Sequence, residues 1–358
     1  MITIIGAGPA GSYLASLLAR EEDVTIFEEH DQIGMPVQCS GITTQALAEI
    51  LEIKKHFLIN KIKNAKIIAP NNKHIDIKLT KPNFILDRAE FDKHLAEQAE
   101  DEGVRFHLSH KYKNCKVTGK GITLKLDGKV KTFKTDVLIG ADGPFSKVAK
   151  TTGLWKERKF AIGAQARINM EVDPETVEFY VNQGCFGWVI PESDQTARVG
   201  IAAYTQPNEK FKSLLKRRQI SSEEIIEYQS GMIPLYDPKA KTQDGNVYLL
   251  GDAATHVKAT TFGGIVQGLM AAEELNKAIL HKENYEKLWK KRIGRDLRIG
   301  LMIRKKLDKF TDHDYNRLVN LFSQERIKRV LETKDRDYPS RFILELLLKE
   351  PRLLGFLF

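Results

Sequence analysis

Met1-Ile2-Thr3-Ile4-Ile5-Gly6-Ala7-Gly8-Pro9-Ala10-Gly11 opens the chain, and its reading decides the fold. Ile2 to Ile5 are a short apolar run of the kind that makes a buried strand. Ser12 to Arg20 then places Tyr13, Leu14, Leu17 and Leu18 at helical spacing, and Val24 to Phe27 supplies a second short strand ending at Glu28. This is a βαβ unit. Gly6, Gly8 and Gly11, with Ala10 between them, permit a tight turn, close approach of backbone to a pyrophosphate, and close helix–strand packing. The helix start offers unpaired N–H groups to phosphates. Glu28 follows Gly11 by 17 residues, where a carboxylate accepts hydrogen bonds from both ribose hydroxyls. The context makes a dinucleotide site the strong reading, against a chance Gly-rich turn. It leaves FAD and NAD both open.

Further along, Ile62 to Ile68 and His74 to Leu79 flank Asn71-Asn72 and read as a hairpin. Asp87 opens a helix with Glu90 as its capping-box partner. Val137 to Ile139 is an apolar strand stopping at Gly140-Ala141-Asp142-Gly143, and Val247 to Leu250 is another, stopping at Gly251-Asp252. Between them, residues 158–235 carry longer alternating strands, the pattern of an antiparallel sheet wet on one face. The spacing predicts a discontinuous nucleotide-binding domain over 1–60, 84–155 and 236–283. A sheet-rich substrate domain takes 61–83 and 156–235, and a basic helical region takes 284–358.

The turn at Gly140 to Val148 and the Gly251-Asp252-Ala253-Ala254 turn, taken with the N-terminal one, resemble the three fingerprints of the para-hydroxybenzoate hydroxylase-like flavoproteins. The resemblance spans roughly residues 1–285. It implies an α/β fold, a Rossmann-like FAD-binding domain beside an antiparallel-sheet substrate domain. FAD is the cofactor it implies, with Asp252 on the ribityl chain, Asp142 in the second fingerprint, and Arg88 steadying the flavin. The other reading of Arg88 is a solvated residue at a helix start.

Three shorter segments narrow the resemblance to the geranylgeranyl reductases. Val257-Lys258-Ala259-Thr260-Thr261-Phe262-Gly263-Gly264-Ile265 is similar to their V-K-P-T-T-G-G-G-I run, with Ala259 in place of proline and Phe262 in place of glycine. Phe186-Gly187-Trp188-Val189-Ile190-Pro191, followed by Arg198 to Ala202, is similar to their Y-x-W-x-F-P…G-x-G signature. Pro36-Val37-Gln38-Cys39-Ser40-Gly41 resembles their P-x-x-C-G-G segment. The resemblance implies saturation of isoprenoid C=C bonds, including those of archaeal ether lipids. Gly263, Gly264 and Ile265 then lie against the flavin ring, Phe186 and Trp188 form an apolar substrate wall, and Cys39 stands near the ring. The plainer readings are sheet core for the aromatic pair and a small buried apolar residue for Cys39. His256 reads as a structural histidine, with proton donation as its alternative.

The bulk composition is that of a globular protein: 358 residues, 42% hydrophobic and 29% charged, which excludes a disordered chain. Lys+Arg number 56 against 47 Asp+Glu, a net charge of +9 that favours acidic partners. Cys39, Cys115 and Cys185 form no C-x-x-C pair, so neither a zinc site nor a disulfide framework is implied, and a reducing cytoplasm is expected. No signal peptide is expected before Ile2, and no apolar run approaches the roughly 18 residues of a membrane span. Residues 287–309 hold ten Lys/Arg and two Asp around a stripe of Leu288, Ile293, Leu297, Leu301 and Leu307. They read either as an amphipathic helix packed on the flavin domain or as a surface for anionic lipid at the inner face of the membrane. The apolar end, Leu353-Leu354-Gly355-Phe356-Leu357-Phe358, suits a lipid tunnel, a bilayer contact or a dimer contact. The partners expected are an isoprenoid lipid and an external electron donor, ferredoxin or NAD(P)H; nothing resembles a nucleic-acid module. Two rivals stand beside the reductase. One is a monooxygenase or halogenase, since Trp188 to Pro191 shares the W-x-I-P half of a halogenase motif. The other is a non-catalytic flavin- or lipid-binding protein.

Overall fold

Parallel strands need long crossovers, and the chain supplies them around its first strand. A computed structural model describes residues 1–356; Leu357 and Phe358, the end of the apolar run, lie outside it. The first sheet contains β1 (Ile2–Ile5), β2 (Val24–Phe27), β6 (Arg105–His107), β10 (Val137–Gly140), β16 (Gln243–Asp244) and β17 (Val247–Leu249), in the order β16-β17-β10-β1-β2-β6. All its pairs are parallel except β16 with β17. On one face lie α1 (Pro9–Leu18), α2 (Arg88–Asp101) and α5 (Ile265–Leu280). Ile4, Ile26 and Ile139 of the sheet meet Leu14, Phe91 and Leu269 of these helices in one core. On the other face, a small sheet of β7 (Lys111–Thr118), β8 (Gly121–Asp127) and β9 (Thr132–Thr135), with α3 (Lys147–Thr151), covers Ile5, Phe27 and Leu138. Strands buried on both faces read as unbroken apolar runs, which is why β1 and β10 show no alternation.

The second sheet has eight strands in the order β15-β11-β14-β13-β12-β4-β5-β3. They are β3 (Ile42–Thr43), β4 (Leu58–Ile68), β5 (His74–Leu86), β11 (Phe160–Asn169), β12 (Thr176–Asn182), β13 (Cys185–Pro191), β14 (Thr196–Ala203) and β15 (Ile225–Pro234). It differs from the expected antiparallel sheet at one joint. The β4–β5 hairpin enters beside β12, and β4 runs parallel to it. Exposed positions remain on β4, β5 and β15, but the central strands β13 and β14 are not wet on either face. The amphipathic α4 (Pro207–Arg217) lays Phe211 and Leu214 on Val199 and Ile201, and helices from the C-terminal region cover the other side. With a helix on each face, β14 is buried at seven of its eight positions.

Asp87 caps α2 as expected, accepting from the N–H groups of Ala89 and Glu90, but the Glu90 carboxylate pairs with Lys93 at 2.8 Å rather than closing a capping box. The C-terminal region comprises α6 (Tyr285–Trp289), a wide helical turn at Lys290–Gly294, α7 (Arg295–Leu307), α8 (Asp312–Phe322), α9 (Glu325–Thr333) and α10 (Ile343–Lys349). Ile293, Leu297 and Leu301 of the basic stretch are buried in the core between the first sheet and its helices. Val319 and Phe322 of α8 and Leu331 of α9 pack on the second sheet. Among the described residues, no helix is long and apolar enough to cross a membrane.

Candidate active site

Parallel pairing fixes where the site is. β17, β10, β1 and β2 are adjacent, and their C-terminal ends deliver Gly251-Asp252, the Gly140 turn, the Gly6 turn and Glu28 to a single sheet edge. Gly6 has φ 104°, and a Cβ there would stand 2.4 Å from the Ala141 carbonyl oxygen. One on Gly11 would stand 2.2 Å from the Gly6 oxygen. Gly8 is different: nothing lies within 4 Å of its Cβ position, so the backbone faces open space at the start of α1. No side chain caps that helix start, which leaves its N–H groups for an anion. The buried Glu28 carboxylate accepts from the N–H of Ala7 at 2.8 Å and of His30 at 3.0 Å. Ala10 packs against Gly251 and Gly268, so it closes the turn against α5.

Asp142 is turned inward. Its carboxylate accepts from Ser146 Oγ at 2.6 Å and from the N–H groups of Lys147 and Val148 at 2.7 and 2.9 Å, capping α3. What Asp142 brings to the site is its backbone, packed on Gly6. Arg158, which sequence reasoning passed over, ties this turn to the third one. It donates to the carbonyl oxygens of Pro144 at 3.1 Å, Asp252 at 3.2 Å and Ala253 at 2.6 Å. Burial pushes the Asp252 carboxyl up to about 6, while the charges of Arg88 and Arg158 work against that rise. Arg88 is itself committed to Asp92 by three hydrogen bonds of 3.0–3.1 Å. Its guanidinium also interacts electrostatically with Cys39. The structure therefore brings Arg88, Cys39 and Asp252 together, with Arg88 in the middle.

The Val257–Gly264 segment forms a closed loop before α5. Lys258 N–H donates to the Gly263 oxygen and Phe262 N–H to the Lys258 oxygen, both at 2.9 Å. Phe262 adopts φ 58°, the left-handed region that favours glycine. Arg304 of α7 braces the loop, donating to the carbonyl oxygens of Ala259 at 2.9 Å and Thr260 at 2.6 Å. Its guanidinium also lies 4.8 Å from the Phe262 ring centre. Gly264 caps α5 without a side chain, and Ile265 begins the helix. A Cβ on Gly264 would lie 3.1 Å from Asp252 Oδ1, so Gly263, Gly264 and Ile265 adjoin Asp252.

The Phe262 ring points to the second sheet, 6.5 Å from Phe186 and 6.3 Å from Tyr204. Phe186 stacks on Phe179 at 5.5 Å and tilts toward Trp188 at 6.3 Å. Trp188 is not merely core: its indole N–H donates to Gln165 Oε1 at 3.1 Å, and the Gln165 amide donates to the Cys39 carbonyl, also at 3.1 Å. Arg198, paired with Glu192 at 2.6 Å, donates to the Ser40 oxygen at 2.9 Å. Two sheet residues thus hold the Cys39 loop. His256 is fully buried with both ring nitrogens unpaired, 4.6 Å from Trp289, and burial lowers its pKa to about 3. At that value it stays neutral, which fits the structural reading. A cavity of about 490 Å³ lined by Lys66, Asp76, Glu178 and Arg218 shares no residue with these turns.

The FAD binding domain family model matches residues 1–284. The chain belongs to the FAD binding domain family. It is an FAD-dependent oxidoreductase, and the open backbone at Gly8 and the uncapped α1 start fit that cofactor's pyrophosphate. The flavoprotein is 28% identical to the digeranylgeranylglycerophospholipid reductase of Methanosarcina acetivorans, over 91% of this chain and 89% of that one. It is 27% identical to the enzyme of the same name from Methanococcus vannielii, over 99% and 96%. In fold it is similar to a geranylgeranyl bacteriochlorophyll reductase-like protein of Thermoplasma acidophilum, with TM-score 0.86, 24% identity and coverage of 99% and 97%. It also shares a fold with the flavin-dependent halogenase CmlS, with TM-score 0.70, 16% identity and coverage of 99% and 77%.

Proposed function

We propose that this flavoprotein saturates C=C bonds in the geranylgeranyl or related isoprenoid chains of archaeal-type membrane lipids. The observation that carries the reading is the junction at Phe262. There the Phe262 ring of the loop adjoining Asp252 meets Phe186 on a sheet face that continues through Phe179 and Trp188. An unactivated alkene has no carbonyl to polarise, so the site's task is to hold it dry and aligned. Reduced FAD, when bound, would supply hydride to one carbon of the double bond, and water or a nearby acid would supply the proton to the other. The protein's own groups do the rest. Gly6, Gly8, Ala10 and Gly11 cradle the pyrophosphate at the α1 start, Glu28 takes the ribose, and Asp252 takes the ribityl chain. Gly251 and the Asp142 backbone shape the pocket, and Gly263, Gly264 and Ile265 back the ring. Arg88 orients Cys39 and offsets the charge of Asp252. Phe186 and Trp188 exclude water from the prenyl chain, and Cys39 contacts substrate where the two domains meet.

The electron donor is an external carrier, ferredoxin or NAD(P)H. The work is done in the cytoplasm at the membrane surface. Leu344 and Leu348, 65% and 73% exposed on α10, offer an apolar lipid contact. The deciding experiment is anaerobic. Photoreduced protein mixed with a geranylgeranyl glycerol ether phospholipid should reoxidise its flavin and yield lipid heavier by two hydrogens per bond. A flavin that stays reduced with every such lipid, yet is reoxidised by oxygen, removes the proposal.

A further inference from the structure

The C-terminal region reaches the flavin loop through a buried carboxylate that no local motif marks. Asp337 lies between α9 and α10. Its side chain is 1% exposed and forms an ion pair with Lys258, whose own side chain is 12% exposed. Asp337 also accepts from Thr44 Oγ1 at 2.5 Å and from Gln267 Nε2 at 2.9 Å. Those three partners come from the segment after Cys39, the flavin loop and α5. Lys258 curls beneath its own loop: a Cβ on Gly263 would lie 3.4 Å from Lys258 Cε and 3.6 Å from Nζ. At the next residue, a Cβ on Gly264 would lie 3.1 Å from Asp252 Oδ1. The Gly263-Gly264 backbone therefore has an ammonium ion beside one glycine and a carboxylate beside the next.

A buried ion pair is weak evidence for stability, because desolvation of both charges offsets their attraction. What it does supply is a fixed charge away from water, where screening is poor and the field carries further. Arg336 acts on Asp337 as well, Asp335 accepts from the Asp337 N–H at 2.8 Å, and Arg304 with Asp308, and Arg88 and Arg158 around Asp252, are further charges near this loop. Burial works to raise the Asp337 carboxyl, but the charges of Lys258 and Arg336 hold it down to about 2, so Asp337 is a carboxylate across the working pH range.

We propose that the Lys258–Asp337 pair sets the electrostatic field at the flavin ring, with Asp337 as a positioning residue that neutralises Lys258. The inference rests on the ring lying against Gly263-Gly264, as in the reading above. Reduction adds negative charge to the flavin, so each half of the pair acts with a defined sign. Asp337→Asn leaves the lysine uncompensated and favours the reduced form. Lys258→Met leaves the carboxylate and favours the oxidised form.

The test is a redox titration of the purified holoprotein with an indicator dye. At fixed poise, the ratio of reduced to oxidised flavin should rise about tenfold in Asp337→Asn, or ~30 mV for a two-electron couple. It should fall in Lys258→Met, return toward wild type in the double variant, and stay near wild type in Asp337→Glu. A merely structural role moves both single variants the same way, or moves neither while flavin stays bound, and either result overturns the inference. Should Asp337→Asn fail to fold, the drop in Lys258→Met is still required. If wild-type protein takes up no flavin at all, the cofactor reading fails first, and absorbance before titration shows which has happened.

Discussion

Gly6–Gly11 and Val257–Gly264 both lead into helices at the same sheet edge, and they are held by opposite means. The first is a local device. Two glycines let backbone meet backbone, with Cβ positions 2.2 and 2.4 Å from carbonyl oxygens. Its longer reaches are few: the packing of Gly6 on Ala141 and the 2.8 Å hydrogen bond from Ala7 to Glu28. The second breaks the local rule by putting Phe262 at φ 58°, a conformation that costs a non-glycine residue about 1–2 kcal/mol. It persists because Arg304 and Asp337 brace it from the C-terminal region. A turn built from glycine carries its instructions within itself. A turn built around an aromatic ring takes them from distant chain.

Gly11→Val strikes the local device hardest. The new side chain has no space against Gly6, so a loss of about 3 kcal/mol is expected, enough for flavin retention to fall about 100-fold. Visible absorbance after dialysis and the thermal midpoint measure the two effects. A variant that keeps its flavin would show that the first turn yields as readily as the second.

Acid probes the braced turn. The carbonyl of His256 packs on Gly264, and its ring is buried neutral with a pKa near 3. An unfolded histidine titrates near 6.5, so between about 6.5 and 3 the unfolded state takes up a proton that the folded state refuses. Stability falls as pH drops through that window, by about 1.4 kcal/mol per unit from this group alone. Urea midpoints measured across it should show a shallower slope in His256→Gln than in wild type. Equal slopes would mean that His256 finds a partner.

Phe262→Gly should do least to stability. Relief of the left-handed strain, about 1 kcal/mol, works against the removal of the ring from its packing on Phe186, Tyr204 and Arg304. The net change is expected within about 1 kcal/mol by thermal or chemical melting. A loss as large as that of Gly11→Val would mean that the ring, not the C-terminal braces, holds the loop.

The two turns also separate what was legible in advance. Gly6, Gly8, Gly11 and Glu28 announced themselves because strand, turn, helix and acid lie within 28 residues and depend on short-range sterics. The hairpin and the strand ends at Gly140 and Gly251 were legible for the same reason. The single parallel joint between β4 and β12 was not, since period-two alternation does not record strand direction. Asp142 was read as a cofactor ligand from its place in a motif, while its carboxylate caps α3. Arg158, Gln165 and Asp337 carry no local pattern, and Arg198, though it opens the 198–202 stretch, carries no sign of its reach to Ser40.

By itself, the sequence determined the βαβ unit, the nucleotide site at its turn and the family to which the chain belongs, because backbone conformation and helix-end charge act over a few residues. Only the tertiary structure decided that Gln165 and Arg198 hold the Cys39 loop, that the central strands of the second sheet are covered on both faces, and that a C-terminal carboxylate pairs with Lys258. Those contacts join residues 79 to 158 positions apart, and a one-dimensional pattern does not encode which distant side chain will be nearby when water is excluded.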